Sequence, residues 1–588
     1  MRISSILPAT ARPLKPKDPP SDEVVPLTQD LVRIDSSPTN LVPGMNQVVD
    51  RMVAYASQAG LQVERFETVD GKPMLIVTLP GKNPAAGSVG FVHHSDVVPP
   101  EGEWKLGPPY SGNLTRDEKG RQVLVGRGSL DTKGPAAQIL VAMKRLKEQG
   151  VQLDRNMKLF MFPDEETGGK DGAWLLSRTR PELFRDVRYW LVEASGILSP
   201  EYLKGLGADR DVPYLAVAQK YTLPVQAELK NPAPAPEAIQ KTRDAMERLD
   251  DYLNDGQWTH LGDHAESKES YRRLGNFVGG FKGWMVRHFW NWRFMQERMG
   301  PSLAAANRSD LSKTDFYLSN NPGGKTEAPN VKPSSATFVL ELALAGADRE
   351  KALQRMRDAA GEDLQVVPLE PLDNGKPTLP IRLTLPQENY HGGNHGSTAD
   401  REHDAIDVTE RALDRIEDSL RRQGWADKLR PVDVYTSKSP APPTRAAEPV
   451  KATLTLDLRV AVDDDRREVL NEVQQALGPD FQLKPLIGPE EFDSSVRRLS
   501  HRSPLFLAAE DSIRQVYGQD TPILFGNTTA SNDVRFLMDA NPQSEALTFV
   551  PVLYTEHGAH GPDECVTVDS LKSGVDWTVE LMKRVGTA

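Results

Sequence analysis

Two short runs, SVGFVHH (88–94) and MKLFMFP (157–163), are apolar at nearly every position instead of at alternate ones. A strand of that kind needs cover on both faces, which is how the strands of a parallel sheet under helices read. Helical spacing lies beside them in MNQVVDRMVAYASQAG (45–60) and in GPAAQILVAMKRLKEQG (134–150), the second ending at Gly150. The alternation over about 45–200 predicts an α/β domain with a mainly parallel sheet and flanking helices. The pattern returns after about 490 in SPLFLAAEDSIRQVYG, TPILFGNTTASNDVRFL, ALTFVPVL and a last helix, so residues 25–212 and 488–588 are expected to form one domain. Ligands of such sheets gather outside the carboxyl ends of the strands.

The stretch between those segments repeats itself. EAIQKTRDAMERL (237–249) and DAIDVTERALDRI (404–416) align without gaps, and NVKPSSATFVLELALA (330–345) aligns with AAEPVKATLTLDLRVA (446–461). Two tandem α+β units over 213–376 and 377–487 are the expectation. The first carries about 50 extra residues near 255–310, with Trp258, Trp284, Trp290 and Trp292, expected to pack against a neighbouring domain.

Charge and cysteine content narrow the function classes. Seventy-one Lys+Arg against 83 Asp+Glu give −12, which speaks against a nucleic-acid or anionic-membrane partner. The lone Cys565 forms no internal disulfide and reads as a buried thiol. No apolar run reaches the ~18 residues of a membrane span. Residues 1–24 read as a Pro-rich arm without the apolar core of a signal peptide. A cytoplasmic protein is expected, with a periplasmic or secreted one left open where a signal has been removed.

Five polar clusters stand at strand ends or in loops: HHSD (93–96), GRGSLDTKG (126–134), DEETGG (164–169), VEASG (192–196) and HGAHGPDE (557–564). Singly, each reads as a cap or a solvated turn. Together and in this order they resemble the M20 metallopeptidases, a family of carboxypeptidases, dipeptidases and N-acyl-amino-acid hydrolases. The resemblance implies a zinc-exopeptidase-like catalytic domain that holds two divalent ions, zinc first, with manganese or cobalt also suited to the ligand set. It places metal ligands on His94, Asp131, Glu166, Glu193 and His560, with Asp131 shared between the ions. It makes Asp96 the residue that orients a ligand imidazole and Glu165 the general base. His93 and His557 are set aside, the first to packing or solvent.

The inserted units resemble that family's lid. The resemblance implies that His395 stabilises an oxyanion, that Arg459 grips a substrate carboxylate, and that Asn330 also touches substrate. The first copy has Ala343 where the arginine belongs and the second has Ala446 where the asparagine belongs, so the copies complement each other. That is the pattern of the family's monomeric dipeptidases, whose double lid imitates a dimer, and a monomer is expected. GNTTASN (526–532) matches the family's substrate loop, which makes Gly526 and Asn527 substrate contacts. The implied activity is hydrolysis of an amide bond beside a free carboxylate, as a carboxypeptidase or dipeptidase. An N-acyl-amino-acid amidohydrolase is the alternative, and a non-catalytic binding protein on the same fold a more remote one.

Overall fold

The computed structural model describes residues 22–587 except 202, 204–207, 255–264, 290–309, 320–335, 362, 370–378, 386–404, 437–448, 489–491, 493–496, 529 and 556. Most of the expected N-terminal arm, together with Trp258, Trp290, Trp292, Asn330, His395 and Ala446, lies outside the described residues. Among the described residues, no helix is long and apolar enough to cross a membrane.

The segments 25–212 and 488–588, expected to form one domain, share a ten-stranded sheet. Its path runs β1 (Gln62–Glu67), β2 (Pro73–Leu79), β6 (Asn156–Phe162), β3 (Ser88–His94), β7 (Val187–Val192), β19 (Glu545–Thr548), β9 (Val212–Gln219), β8 (Ile197–Leu198), β20 (Leu553–Tyr554), with β18 (Leu524–Thr528) paired to β9. Strands β6, β3, β7 and β19 run parallel to one another. The continuous apolar runs follow from cover on both faces. Val89, Phe91, Met157, Leu159 and Met161 join the core under helices Lys133–Glu148 and Val568–Gly586, while Val92, Phe160 and Phe162 join a second core with Phe184 and Trp190. Gly90 is required where it stands, because a Cβ there would lie 2.4 Å from the Trp190 ring. A small sheet of β21 (Cys565–Thr567), β5 (Gln122–Val125) and β4 (Asn113–Arg116) buries Cys565 against Val123 and Val125.

The strands of the expected lid are β10 (Tyr221–Leu229), β11 (Asp310–Ser319), β12 (Ala336–Leu342), β13 (Gln365–Pro368), β14 (Leu379–Thr384), β15 (Leu429–Thr436), β16 (Lys451–Val460) and β17 (Phe481–Pro485). They form two four-stranded sheets, β11-β16-β10-β17 and β13-β14-β12-β15. The tandem boundary at 376/377 is therefore not where the sheets divide. Strand β10 of the first expected unit pairs with β16 of the second, and β12 pairs with β14 across the same boundary. One β-α-β-β-α-β unit, β12 to β15, is inserted between the second and third strands of another, β10, β11, β16 and β17. The physical reason is that the matched sequence segments are β-α-β halves: the outer sheet joins two halves that the insertion separates, and the inner sheet joins the two halves of the insertion itself.

Part of the aromatic insertion packs against the ten-stranded sheet. Tyr271, Leu274 and Val286, from helices Ala265–Val278 and Gly280–Phe289, pack against Tyr214, Ala216 and Leu524 of the catalytic sheet, whereas Trp284 is 41% exposed.

Candidate metal centre

Three adjacent parallel strands deliver the polar side chains at their carboxyl ends, as the sheet type predicts. His94 ends β3, Glu165 and Glu166 follow β6, and Glu193 follows β7. Successive strand residues face opposite sides. His93 thus turns into the protein interior, 2% exposed, where burial pushes its imidazole down to about 3 and keeps it neutral.

Asp131 is the meeting point. Its Oδ1 lies 3.0 Å from His94 Nε2 and its Oδ2 lies 3.3 Å from His560 Nε2. Glu166 Oε1 is 3.0 Å from the same His560 nitrogen. His94, Asp131 and Glu166 each present a donor atom within 4.8 Å of the others, a grouping able to hold a cation. The peptide between Asp131 and Thr132 is cis. Glu193 is buried, and its Oε2 has no hydrogen-bond partner among the described residues.

Asp96 binds the parts together. Its Oδ1 accepts from the Glu165 N–H at 3.3 Å and its Oδ2 from the Glu166 N–H at 3.1 Å, while Oδ1 lies 3.4 Å from His94 Nδ1. The other histidine loop is held through Glu564. Glu564 Oε1 accepts from the N–H groups of Gly128, Leu130 and Asp131 at 3.0, 2.9 and 3.2 Å, and its Oε2 pairs with Arg127. Arg127 Nη2 donates in turn to the His560 carbonyl at 2.9 Å.

Backbone strain gathers at the same place. The four non-glycine residues with left-handed φ among those described are Asp164, Ala194, His560 and Asp563, three of them at or beside an expected ligand or base.

Electrostatics reflect carboxylates crowded out of water. Burial raises Glu165 well above the ordinary carboxylate range, with Asp533, Glu166 and Glu193 adding to the rise, and burial raises Glu166 as well. Burial pushes Glu193 up to about 8. Burial alone would lower both imidazoles. The contacts of His94 with Asp131 and Asp96 outweigh it, and those of His560 with Glu166 and Asp131 raise that ring to about 9. Burial would raise Asp131, but His560 and His94 hold it well below its usual value.

Sequence reasoning missed Asp533. It is 1% exposed, both its carboxylate oxygens lack a hydrogen-bond partner among the described residues, and burial pushes it up to about 7. A Cβ on Gly169 would lie 2.0 Å from Asp533 Oδ1, so the DEETGG turn needs glycine to close over this side chain. The stretch ASNDVRF around it carries no periodicity or motif that marks it in the sequence.

The remaining expected residues fall elsewhere. Arg459 lies on β16, 2% exposed, its fork taken by Asp457 at 2.8–3.0 Å and its Nη1 donating to Thr222 Oγ1 at 2.7 Å. Gly526 and Asn527 lie on β18 beside Tyr214, whose hydroxyl donates to the Asn527 carbonyl at 2.8 Å. Next to them, Thr528 Oγ1 donates to the Ala194 carbonyl at 3.0 Å, adjoining Glu193. His557 pairs with Glu118 at 2.8 Å.

A sequence profile of "Peptidase family M20/M25/M40" matches residues 90–584. Aminoacylase-1 of Sus scrofa is 36% identical over 158 residues, 27% of this chain and 37% of that protein. The Beta-Ala-His dipeptidase of Homo sapiens is 28% identical over 185 residues, 29% of this chain and 36% of that protein. The matched stretches thus span little more than a third of those relatives' lengths. Among solved structures, the M20 family metallo-carboxypeptidase Sso-CP2 from Sulfolobus solfataricus superposes with a TM-score of 0.56 at 13% identity, over 96% of this chain and 100% of that one. Human carnosine dipeptidase 1 gives 0.53 at 13% identity, over 96% and 97%, so both share the fold. The profile spans most of the sequence and every residue of the His94, Asp131, Glu166, Glu193 and His560 set, and the chain belongs to the M20/M25/M40 peptidase family.

Proposed function

We propose that this chain is a dinuclear metal-dependent hydrolase that cleaves an amide bond beside a free carboxylate, acting as a carboxypeptidase or dipeptidase. The observation that carries the reading is Asp131, whose two oxygens face two different imidazoles. The residues fit a pair of cations. The buried carboxylates of Glu166 and Glu193 and the half-buried ones of Asp131 and Glu165 outnumber the two imidazoles, and Glu193 keeps an oxygen with no hydrogen-bond partner among the described residues, a balance that favours positive partners. His94 and Glu193 would hold one ion, Glu166 and His560 the other, and Asp131 both. When bound, two divalent ions, with zinc the first choice and manganese or cobalt the alternatives, would supply Lewis acidity to a carbonyl and to water near neutral pH.

The protein's own groups then do the following. Asp96 fixes the His94 ring and the Glu165–Glu166 turn. Glu165, outside the ligand set, takes the proton of the attacking water on its carboxylate. It later gives that proton to the leaving nitrogen as the C–N bond breaks, releasing an amine and a carboxylic acid. Its raised proton affinity suits a group that must hold a proton between those steps. His395, from the lid, is assigned the oxyanion.

The likeness to aminoacylase-1 favours a second reading, N-acyl-amino-acid hydrolysis, which uses the same ligands and base. Hydrolysis assays on a dipeptide panel and an N-acyl-amino-acid panel after metal reconstitution test both. Turnover of dipeptides supports the first reading and turnover of acyl amino acids alone the second, while no turnover of either by protein that has taken up metal defeats both.

The lid also supports a monomer. Strand β11 of the outer unit lies against β15 of the inner one. Arg243, on helix Ala235–Asn254, pairs with Asp414 at 2.7 Å and with Glu417 on helix Ala405–Arg421. Both halves of the lid are thus supplied by one chain.

A further inference from the structure

A substrate of the proposed class carries a carboxylate that needs a cationic partner near the metal centre. Arg459 already spends its fork on Asp457. Arg498 is placed differently. Its side chain is 14% exposed; Nη1 donates to Asn527 Oδ1 at 2.8 Å and Nη2 to Asp463 Oδ2 at 2.7 Å. A guanidinium has about five N–H donors, so two are used and three have no protein acceptor among the described residues. The neighbouring Arg497 shows what a structural arginine looks like here, since it donates to the carbonyls of Pro542 and Met538.

The position of Arg498 matters as much as its unused donors. Asn527 belongs to β18, and residues after it bond to the backbone at Glu193. Thr528 Oγ1 donates to the Ala194 carbonyl at 3.0 Å, and Asn532 Nδ2 donates to the Glu193 carbonyl at 3.2 Å. Asp463 lies just beyond β16, in the lid. One guanidinium therefore spans the seam between the catalytic sheet and the lid, next to the loop that borders Glu193.

Resting on the hydrolytic reading above, we propose that Arg498 is the anchor for the free carboxylate of the substrate. The carboxylate docks on the donors left over from Asn527 and Asp463, in charge-assisted hydrogen bonds whose geometry a planar fork favours. Docking there places the adjoining amide on the side of Glu193. Because Asp463 shares the same guanidinium, an arriving carboxylate competes with a lid residue, so substrate binding loosens the ion pair at the seam.

The test compares Arg498→Gln and Arg498→Lys with the wild-type chain, full length and zinc-loaded. The probes are a dipeptide and the same dipeptide with its carboxyl amidated. The wild type is expected to prefer the free acid. Arg498→Gln is expected to lose about 10- to 100-fold in kcat/KM for the acid, mostly through KM, so that the acid-to-amide ratio falls toward one. Arg498→Lys restores part of the preference, which a folding defect would not do, and zinc content stays at the wild-type level in both variants. A wild-type acid-to-amide ratio retained in Arg498→Gln overturns the assignment alone. A wild-type chain that has bound zinc and cleaves neither these compounds nor acyl amino acids overturns the hydrolytic reading, and the anchor with it.

Discussion

Arg127 and Glu564 meet across 437 residues of chain as an ion pair closed to solvent, with 1% and 0% of their side chains exposed. The pair clamps the Asp131 loop to the His560 loop, so the spacing of two expected ligands depends on a contact that neither of them makes. Removing one partner of such a pair costs ~3–5 kcal/mol, because the other charge stays buried alone. Glu564→Gln is therefore expected to lower the melting temperature and to weaken metal binding about 10- to 100-fold. Titration against a chelator of known affinity reads the second effect; wild-type affinity in this variant would show that the clamp does not set the site.

Glu165 carries chemistry without holding an ion in the proposed scheme. Glu165→Gln keeps the shape and removes the proton acceptor, and is expected to reduce kcat about 10²- to 10⁴-fold with metal content unchanged. Steady-state kinetics beside elemental analysis separates the two. Activity within a few fold of wild type would reassign the base.

The metal-free protein should lose stability as pH rises. Glu193, pushed up to about 8 from 4.5, and Asp533, pushed up to about 7 from 3.8, keep protons in the folded chain that the unfolded chain has already released. Stability therefore falls with rising pH between those values, and His560, raised to about 9, acts in the same direction above 6.5. Lys133, pushed down to about 7, has the opposite sign from there to 10.5, and the depressed carboxyls of Glu201 and Glu269, at about 2, titrate below the range. His93, pushed down to about 3 from 6.5, has the opposite sign up to 6.5, so the clean window is about pH 6.5 to 7. Calorimetry should find a falling melting temperature across it for the metal-free chain. The stabilisation from added zinc should grow with pH, as metal and protons compete for the same groups. A metal-free melting temperature that climbs through this window contradicts the assignment.

Sedimentation equilibrium should return a single chain of 65.1 kDa, and a mass twice as large would count against a self-contained lid. Within the lid, Arg243→Ala removes the contacts to Asp414 and Glu417 and should speed amide hydrogen exchange in helices Ala235–Asn254 and Ala405–Arg421 together. Acceleration in the first helix alone would mean that the pair does not couple the units.

What the sequence revealed depended on how locally each feature is encoded. His94, Glu165, Glu166 and Glu193 sit within a few residues of the ends of buried strands, so the apolar runs that announce the sheet also locate the site. Glu564 could be counted as part of HGPDE, but its partner Arg127 and the three N–H groups it collects are chosen by the fold. Asp533 and Arg498 stand in stretches, ASNDVRF and SVRRLS, with no periodicity to mark them. The duplication in the lid was legible because similar β-α-β halves have similar patterns. Which half pairs with which was not, since likeness between two segments carries no information about their neighbours in a sheet.

The nesting of the lid units leaves both junctions closed. Ser319 lies directly opposite Lys451 in the outer sheet, and Ala336 lies directly opposite Thr436 in the inner one. The inner unit is in effect spliced into the tip of a hairpin, with its own two ends side by side. Excising it would leave β11 and β16 needing only a short turn, and every surviving strand would keep its register.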